Sequence, residues 1–499
     1  MGVVIKQSIK TSIVTYLGMM LGYVNTLLLF PYILSAEQIG LMRLLIDIAA
    51  LAAPFAQLGI SNIALRFFPH FKDESKRHNG FLFLLLLTGF VGFSLFAIIL
   101  LVFKGFLFHA YVANSPLFIH YLYFLLPLTF FVVFYQIFES YTQSFLKIVV
   151  PGFIREVMLR LMATVWVILF FYQIMGLDGF VMLMVSSYGI ALLLIIFYVG
   201  YLKKLYLKPD FRFAKTSLLK EMQTYGLWVL LGGAGGLLVT KIDTLMISSM
   251  SGLSKTGVYS IAFFIATIIE IPRRTISQIA YPLVADAWKN NDLAKIKNLY
   301  EKSALNQLII GSFLFIGIWT NIDSIFSLIP NGGIYSTGKY VVFFIGIGKL
   351  VDMATGVNGE IIITSKYYRF DILSVSCLAA LAIGTNLIFI PMYGITGAAL
   401  AAAISLFLFN MLRFLFIKIK FGLQPYSLKT IVALIVPVLA YYISTLIPLQ
   451  QHIFIDIFLR SAMVTLVFFV LIVGLKVSAD VNETLYKVFL KIIPWKKKK

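Results

Sequence analysis

Gly80–Phe103 reads GFLFLLLLTGFVGFSLFAIILLVF, an apolar run without a single ionisable group. Arg66, Lys72, Lys76 and Arg77 precede it, and only Lys104 follows. About 20 such residues are what a helix needs to cross the hydrocarbon core of a bilayer. Working outward, thirteen more runs of this kind fall at 11–33, 38–63, 117–138, 150–173, 178–201, 226–249, 256–284, 304–322, 336–364, 371–391, 395–416, 429–448 and 454–475. Cytoplasmic loops are enriched in Lys and Arg. If the N-terminus is cytoplasmic, only Lys104, Lys255 and Lys339 of the 41 basic residues are assigned to loops on the other side. The pattern predicts an all-α integral membrane protein of about fourteen transmembrane helices, both termini in the cytoplasm.

Composition excludes the other large classes. A chain 60% hydrophobic and 12% charged, with mean hydropathy +0.95, is no soluble globule. Its net charge of +20 sits beside helix ends, where it meets anionic membrane lipids. No basic stripe interleaved with aromatics suggests a nucleic-acid partner. Trp495 and Lys496–Lys499 read as an interfacial aromatic and a cytoplasmic anchor. The N-terminal run is too long for a signal peptide, and Pro31-Tyr32 stands where a cleavage site would lie. The single cysteine, Cys377, permits no disulfide within the chain. His70, His78, His109, His120 and His452 lack the helical spacing of a metal site, so no metal is expected. No GxxxxGK[ST] phosphate loop occurs, which argues against ATP as the drive. Nor does any nucleophile motif point to an enzyme, and the outer loops leave no room for a catalytic domain. The inner loops Arg66–Gly80, Lys203–Lys220 and Asp286–Lys302 are longer and charged.

The Lys203–Lys220 stretch divides six spans from eight. We assign 1–205 to an N-terminal lobe (spans 1–6), 206–220 to a cytoplasmic linker and 221–420 to a C-terminal lobe (spans 7–12). Residues 421–475 then hold spans 13 and 14, and 476–499 form a basic cytoplasmic tail. A weak internal repeat supports the two lobes. Gly40 to Pro54 and Ile60–Ala64 align with Gly257 to Pro272 and Ile276–Ala280 after a one-residue gap. Parallel repeats of this kind suit a transporter whose lobes rock around a central site.

Charges inside spans are costly and mark interior cavities. Arg43 and Asp47 lie on span 2, Lys241 and Asp243 on span 7, Glu270, Arg273 and Arg274 on span 8, and Lys349, Asp352 and Glu360 on span 10. Arg43/Asp47 and Glu270/Arg274 are four apart and Lys349/Asp352 three apart, so each pair shares a helix face. Lys241 and Asp243, two apart, do not, so at least one needs a partner on another helix. Pairing for structure alone is the plain reading. The sharper one is that Arg43, Lys241, Arg273, Arg274 and Lys349 hold an anionic headgroup, since guanidinium forks match phosphate oxygens. Asp47, Asp243, Asp352, Glu360 and Glu270 are then the groups for ion coupling or gating. Gly232, Gly233, Gly235 and Gly236 weaken span 7 and, with Pro272, suggest a hinge; tight packing is the competing reading.

Taken in order, several motifs resemble a known family. Pro31-Tyr-Ile-Leu-Ser-Ala-Glu-Gln-Ile-Gly40, Leu58-Gly59-Ile, Arg66-Phe-Phe-Pro69, Lys241-Ile-Asp243, Gly257-Val-Tyr259, Tyr281-Pro282 and Tyr393-Gly394-Ile-Thr-Gly397 are similar to the polysaccharide transporters. These are the Wzx-type O-antigen or repeat-unit flippases of the MOP (MATE-like) superfamily. The resemblance implies two six-helix lobes plus two C-terminal helices. It also implies no catalysis, and alternating-access transfer of an undecaprenyl-pyrophosphate-linked oligosaccharide from the cytoplasmic to the periplasmic leaflet. The setting would be the bacterial inner membrane, in biosynthesis of O-antigen of lipopolysaccharide, capsule or exopolysaccharide. No cofactor is implied beyond an H+ or Na+ gradient. Implied partners are the lipid-linked oligosaccharide, membrane lipids and downstream polymerase and chain-length proteins. A lipid II flippase, a MATE-type multidrug exporter and a membrane glycan polymerase or ligase are the alternatives.

Overall fold

In hydrocarbon every backbone N–H and C=O must be satisfied within the chain, and a helix does this locally. The computed structural model describes residues 2–210, 216–448 and 450–483, and among them no strand occurs. The tail beyond 483, with Trp495 and its lysines, lies outside the described residues.

All fourteen apolar runs fall in helical segments. Eleven helices are long and apolar enough to cross a membrane as they stand. One of these, Tyr368–Phe421, is 54 residues long, about twice a bilayer's thickness, and breaks at Gly394 (φ 58°, ψ −133°). Its halves double back, so that Thr385 Oγ1 meets Ser405 Oγ at 3.0 Å. That helix therefore supplies two spans. The remaining two are Val149–Phe171, interrupted by the π-helical turn Ile154–Met158, and the more polar Thr216–Ser251.

Four boundaries differ from the expectation, one being that the 336–364 run breaks at 355–357, between the Lys339–Ala354 and Asn358–Ile363 helices. The 38–63 run is not one helix: Ala36–Ala56 ends at a left-handed pair, Leu58 (φ 53°) and Gly59 (φ 73°). A second helix, Ile60–Phe71, buries Ile60, Ile63, Ala64, Phe67, Phe68 and Phe71 at helical spacing. The Arg66–Gly80 loop is therefore helical as far as Phe71. Likewise Asp286–Lys302 is a helical hairpin, Ile271–Lys289 joined to Leu293–Thr320 by a turn at Asn290–Asp292. Hydropathy marks where a helix leaves the hydrocarbon, not where it stops.

The chain forms two compact units, Met1–Ile261 with Ile329–Asn331, and Ala262–Leu328 with Gly332–Lys499. The Thr216–Ser251 helix thus packs with the first six spans. In the first unit, Ser35 starts the Ala36–Ala56 helix through a capping box with Gln38. That helix meets the Leu253–Ala266 helix so closely that no side chain fits between them. A Cβ on Gly40 would stand 1.9 Å from the Leu253 carbonyl oxygen, and one on Gly257 2.0 Å from that of Ala36. Gly40 and Ala36 are offset from Gly257 and Leu253 by the same interval. The two repeats therefore meet reciprocally, as surfaces related by a two-fold axis do. Phe68, Phe81, Tyr141 and Phe145 fill the aromatic core of this unit.

In the second unit, the added helices Leu428–Thr445 and Ile453–Gly474 pack on Leu293–Thr320 through Leu308, Ile309, Ala433, Val436 and Phe468. The buried pair Asp456 and Arg460 on the last span is closed by Nε to Oδ1 at 3.0 Å.

Candidate functional site

The charges expected from the sequence gather into one cluster in each unit. In the first, the Ala36–Ala56 helix places Arg43 and Asp47 one turn apart, and the Thr216–Ser251 helix brings Lys241 to them. Asp47 is fully buried. Its Oδ2 accepts from Arg43 Nε at 2.7 Å and its Oδ1 from Lys241 Nζ at 2.6 Å. One carboxylate is shared by two cations. Arg43 keeps 34% of its side chain exposed and Lys241 21%. Asp243, on a different face from Lys241, accepts from Tyr259 Oη at 2.8 Å. The cross-helix partner that the two-residue spacing demanded is Asp47 for Lys241.

The second cluster repeats the stoichiometry. Lys349 Nζ lies 2.5 Å from Glu270 Oε2, and Arg274 Nε lies 3.5 Å from Glu270 Oε1. Glu270 too is a carboxylate between two cations, and Arg274 is two-thirds exposed. The expected pair Lys349/Asp352 does not form. Asp352 is engaged instead by Arg273, Nε to Oδ2 at 3.0 Å, and accepts from Asn410 Nδ2 at 3.1 Å. The reason is geometric: the Thr267–Glu270 turn is 3-10, and Pro272 opens the Ile271–Lys289 helix in its first turn. That start aims the two neighbouring arginines to different partners on and beside the Lys339–Ala354 helix.

Glu360 lies on the separate Asn358–Ile363 helix, not on the Lys339–Ala354 helix that carries Lys349 and Asp352. It makes no ion pair among the described residues, and its Oε2 is buried without a hydrogen-bond partner. Of the glycines, Gly232, Gly233, Gly235 and Gly236 lie in unbroken helix, and a Cβ on Gly236 would meet nothing within 4 Å. Close packing therefore does not account for Gly236.

Sequence reasoning missed several polar residues at the second cluster. Asn410 Oδ1 accepts from Thr355 Oγ1 and from Asn358 Nδ2, each at 2.9 Å, and so holds Asp352 in place. Buried Arg413 pairs with the half-buried Asp371 near the ends of two runs. In the first unit Glu139 receives Arg155 Nη1 at 2.6 Å.

The polysaccharide biosynthesis protein family matches residues 4–288, more than half of the chain. The chain belongs to that family. Among its relatives, the probable low-salt glycan biosynthesis flippase Agl15 of Haloferax volcanii is 21% identical over 58% of this chain and 59% of its own length. The chain thus spans less than two thirds of that relative. An uncharacterized membrane protein of Methanocaldococcus jannaschii, MJ1068, is 21% identical over 80% of this chain and 81% of its own. The fold is similar to that of the lipid II flippase MurJ in an inward closed conformation, with TM-score 0.70, 14% identity, 93% of this chain and 98% of that one. A multidrug resistance MATE family transporter of the MOP superfamily, inward-facing, gives 0.63, 15%, 81% and 94%. The family member described here is a multi-pass membrane protein with the fold of MOP superfamily transporters.

Proposed function

We propose that this protein moves an undecaprenyl-pyrophosphate-linked oligosaccharide from the cytoplasmic to the outer leaflet of a bacterial inner membrane, for assembly of a surface polysaccharide. The observation that carries this reading is the shared carboxylate of each cluster. Asp47 serves Arg43 and Lys241, and Glu270 serves Lys349 and Arg274, so in each cluster a basic side chain shares its carboxylate and Arg43 and Arg274 stay partly exposed. Guanidinium nitrogens grip phosphate oxygens in pairs. The family match and the flippase relative agree with a lipid-linked glycan as cargo. Lipid II remains the second reading, because the fold it shares is silent on the sugar.

In this mechanism Arg43 and Lys241 of the first unit, and Arg274 and Lys349 of the second, are the groups that engage phosphate, while Arg273 is retained on Asp352. Glu360, whose carboxyl oxygen lacks a partner, takes up H+ or Na+ and couples the gradient to the return of the empty carrier. Asp47, Asp243, Glu270 and Asp352 gate by exchanging cations as the cargo arrives. The Gly232–Gly236 segment and Pro272 supply the bends.

The test is lipid analysis in a strain lacking the gene, complemented by wild-type or substituted protein. Undecaprenyl-pyrophosphate repeat units should accumulate, shielded from probes applied to the outer face. Wild type should clear them, whereas the combined R43Q/R274Q substitution should not. Units that reach the outer face and fail only to polymerise would assign the chain to polymerisation instead. Accumulating lipid II, in place of glycan repeat units, would establish the second reading.

A further inference from the structure

The five cationic candidates do not line a cavity found at one end of the second unit. It has a volume of about 680 Å³, within the range that small-ligand sites occupy. It opens where three helix ends converge: the end of Ile271–Lys289, the segment after Asn358–Ile363, and the end of Tyr368–Phe421. The basic-residue asymmetry assigns all three ends to the cytoplasmic face.

Its chemistry has two parts. Lys289, Lys366 and Lys420 reach it from separate segments, and none makes an ion pair among the described residues. No Asp or Glu is among its lining residues. Three exposed ammonium groups around one concavity make a cationic rim that complements an anion. The second part is an aromatic wall of Trp288, Tyr367 and Phe421. Trp288 Nε1 donates to the Ile361 carbonyl oxygen at 3.1 Å, and its ring lies 4.8 Å from that of Phe421. Tyr367 lies 5.7 Å from Phe421, with Lys366 Nζ 5.3 Å and Lys420 Nζ 5.9 Å from its centroid. The wall is fixed by hydrogen bonding and by the core behind it, so it is formed before any ligand arrives.

We propose that this cavity is a phosphate-binding site separate from the transport clusters, which takes a phosphate-bearing amphiphile: the phosphoryl group between Lys289, Lys366 and Lys420, its apolar part against Trp288, Tyr367 and Phe421. Its place at the ends of membrane spans, where Lys and Trp meet headgroups, favours an anionic phospholipid as the source. A soluble phosphate compound shares the same chemistry. Occupancy would tie the ends of three helices together at the cytoplasmic face.

Full-length protein in detergent, examined by native mass spectrometry after titration with phosphatidylglycerol or phosphatidylcholine, tests this. Wild type should retain one phosphatidylglycerol in preference to phosphatidylcholine. The triple substitution Lys289→Gln, Lys366→Gln, Lys420→Gln should weaken that retention by about tenfold, since each basic residue near the lipid surface adds to the affinity. The matching triple Lys→Arg variant should retain it. A control, Lys203→Gln with Lys208→Gln, removes two exposed lysines of the other unit and should change nothing. A parallel titration with inorganic phosphate, read as a thermal shift, separates the sources. Loss of the phosphate response alone in the Gln variant assigns the site to a soluble ligand. If neither ligand distinguishes the Gln variant from wild type, or if the control loses as much lipid as the triple variant, the proposal is overturned.

Discussion

Asp47 is buried without exposure between Arg43 and Lys241, and that position sets what its removal costs. Taking one member from a buried charge group leaves its partners uncompensated, at about 3–5 kcal/mol. Asp47→Asn should therefore lower the thermal midpoint of the purified protein markedly. Adding Lys241→Met should restore part of the loss, a coupling that a thermal double-mutant cycle reads directly. Glu360 predicts a smaller effect. Its Oε2 has no hydrogen-bond partner and the group makes no ion pair among the described residues, so Glu360→Gln should lower the thermal midpoint less than Asp47→Asn does. If Glu360 carries the coupling ion, the same variant reconstituted in liposomes should transport at a rate that no longer rises with an imposed H+ or Na+ gradient. Retention of that dependence would remove Glu360 from the coupling scheme. At this scale the sequence identified the charged residues but not all their partners. The i,i+4 pairs were legible because helix geometry fixes them; Arg273 with Asp352 was not, because a 3-10 turn and a helix start intervene.

Among the elements, the Ala36–Ala56 and Leu253–Ala266 helices are held at backbone contact by two glycines. Gly40→Ala or Gly257→Ala would drive a methyl group into a carbonyl oxygen at about half the normal separation. Neither a carbonyl nor a helix axis yields cheaply. Each variant should show a lower folded yield and a lower midpoint in fluorescence-detected size-exclusion chromatography. Gly236→Ala offers the contrast, because a Cβ there meets nothing. It should fold as well as wild type and gain up to about 1 kcal/mol of helix stability. If bending of the Thr216–Ser251 helix is part of transport, that same variant should transport more slowly. The repeat that joins Gly40 to Gly257 was visible in the sequence as a weak alignment. That the two meet each other was not, since an offset between equivalent residues carries no information about which of them touch. The break at Leu58-Gly59 also escaped notice, because apolar residues on both sides disguise a turn as a continuous span.

For the whole molecule, the basic-residue asymmetry predicts which loops face the cytoplasm. In a Cys377→Ser background, Lys208→Cys should react with a membrane-impermeant maleimide only when the cytoplasmic face is opened, and Lys104→Cys in intact cells. Both lysines are exposed, so access to reagent rather than burial decides the outcome. The reverse labelling would invert the topology and with it the direction assigned to transport. The sequence by itself determined the class, the number of spans and their bias, because hydrocarbon imposes a length and a polarity on every segment that crosses it. It also supplied the five cations and five carboxylates within those spans. Only the tertiary structure decided how they combine, since the packing of helices distant in sequence sets which groups come within 3 Å. That packing turned an even count of opposite charges into two carboxylates that each serve two cations, and left Glu360 without an ion-pair partner among the described residues.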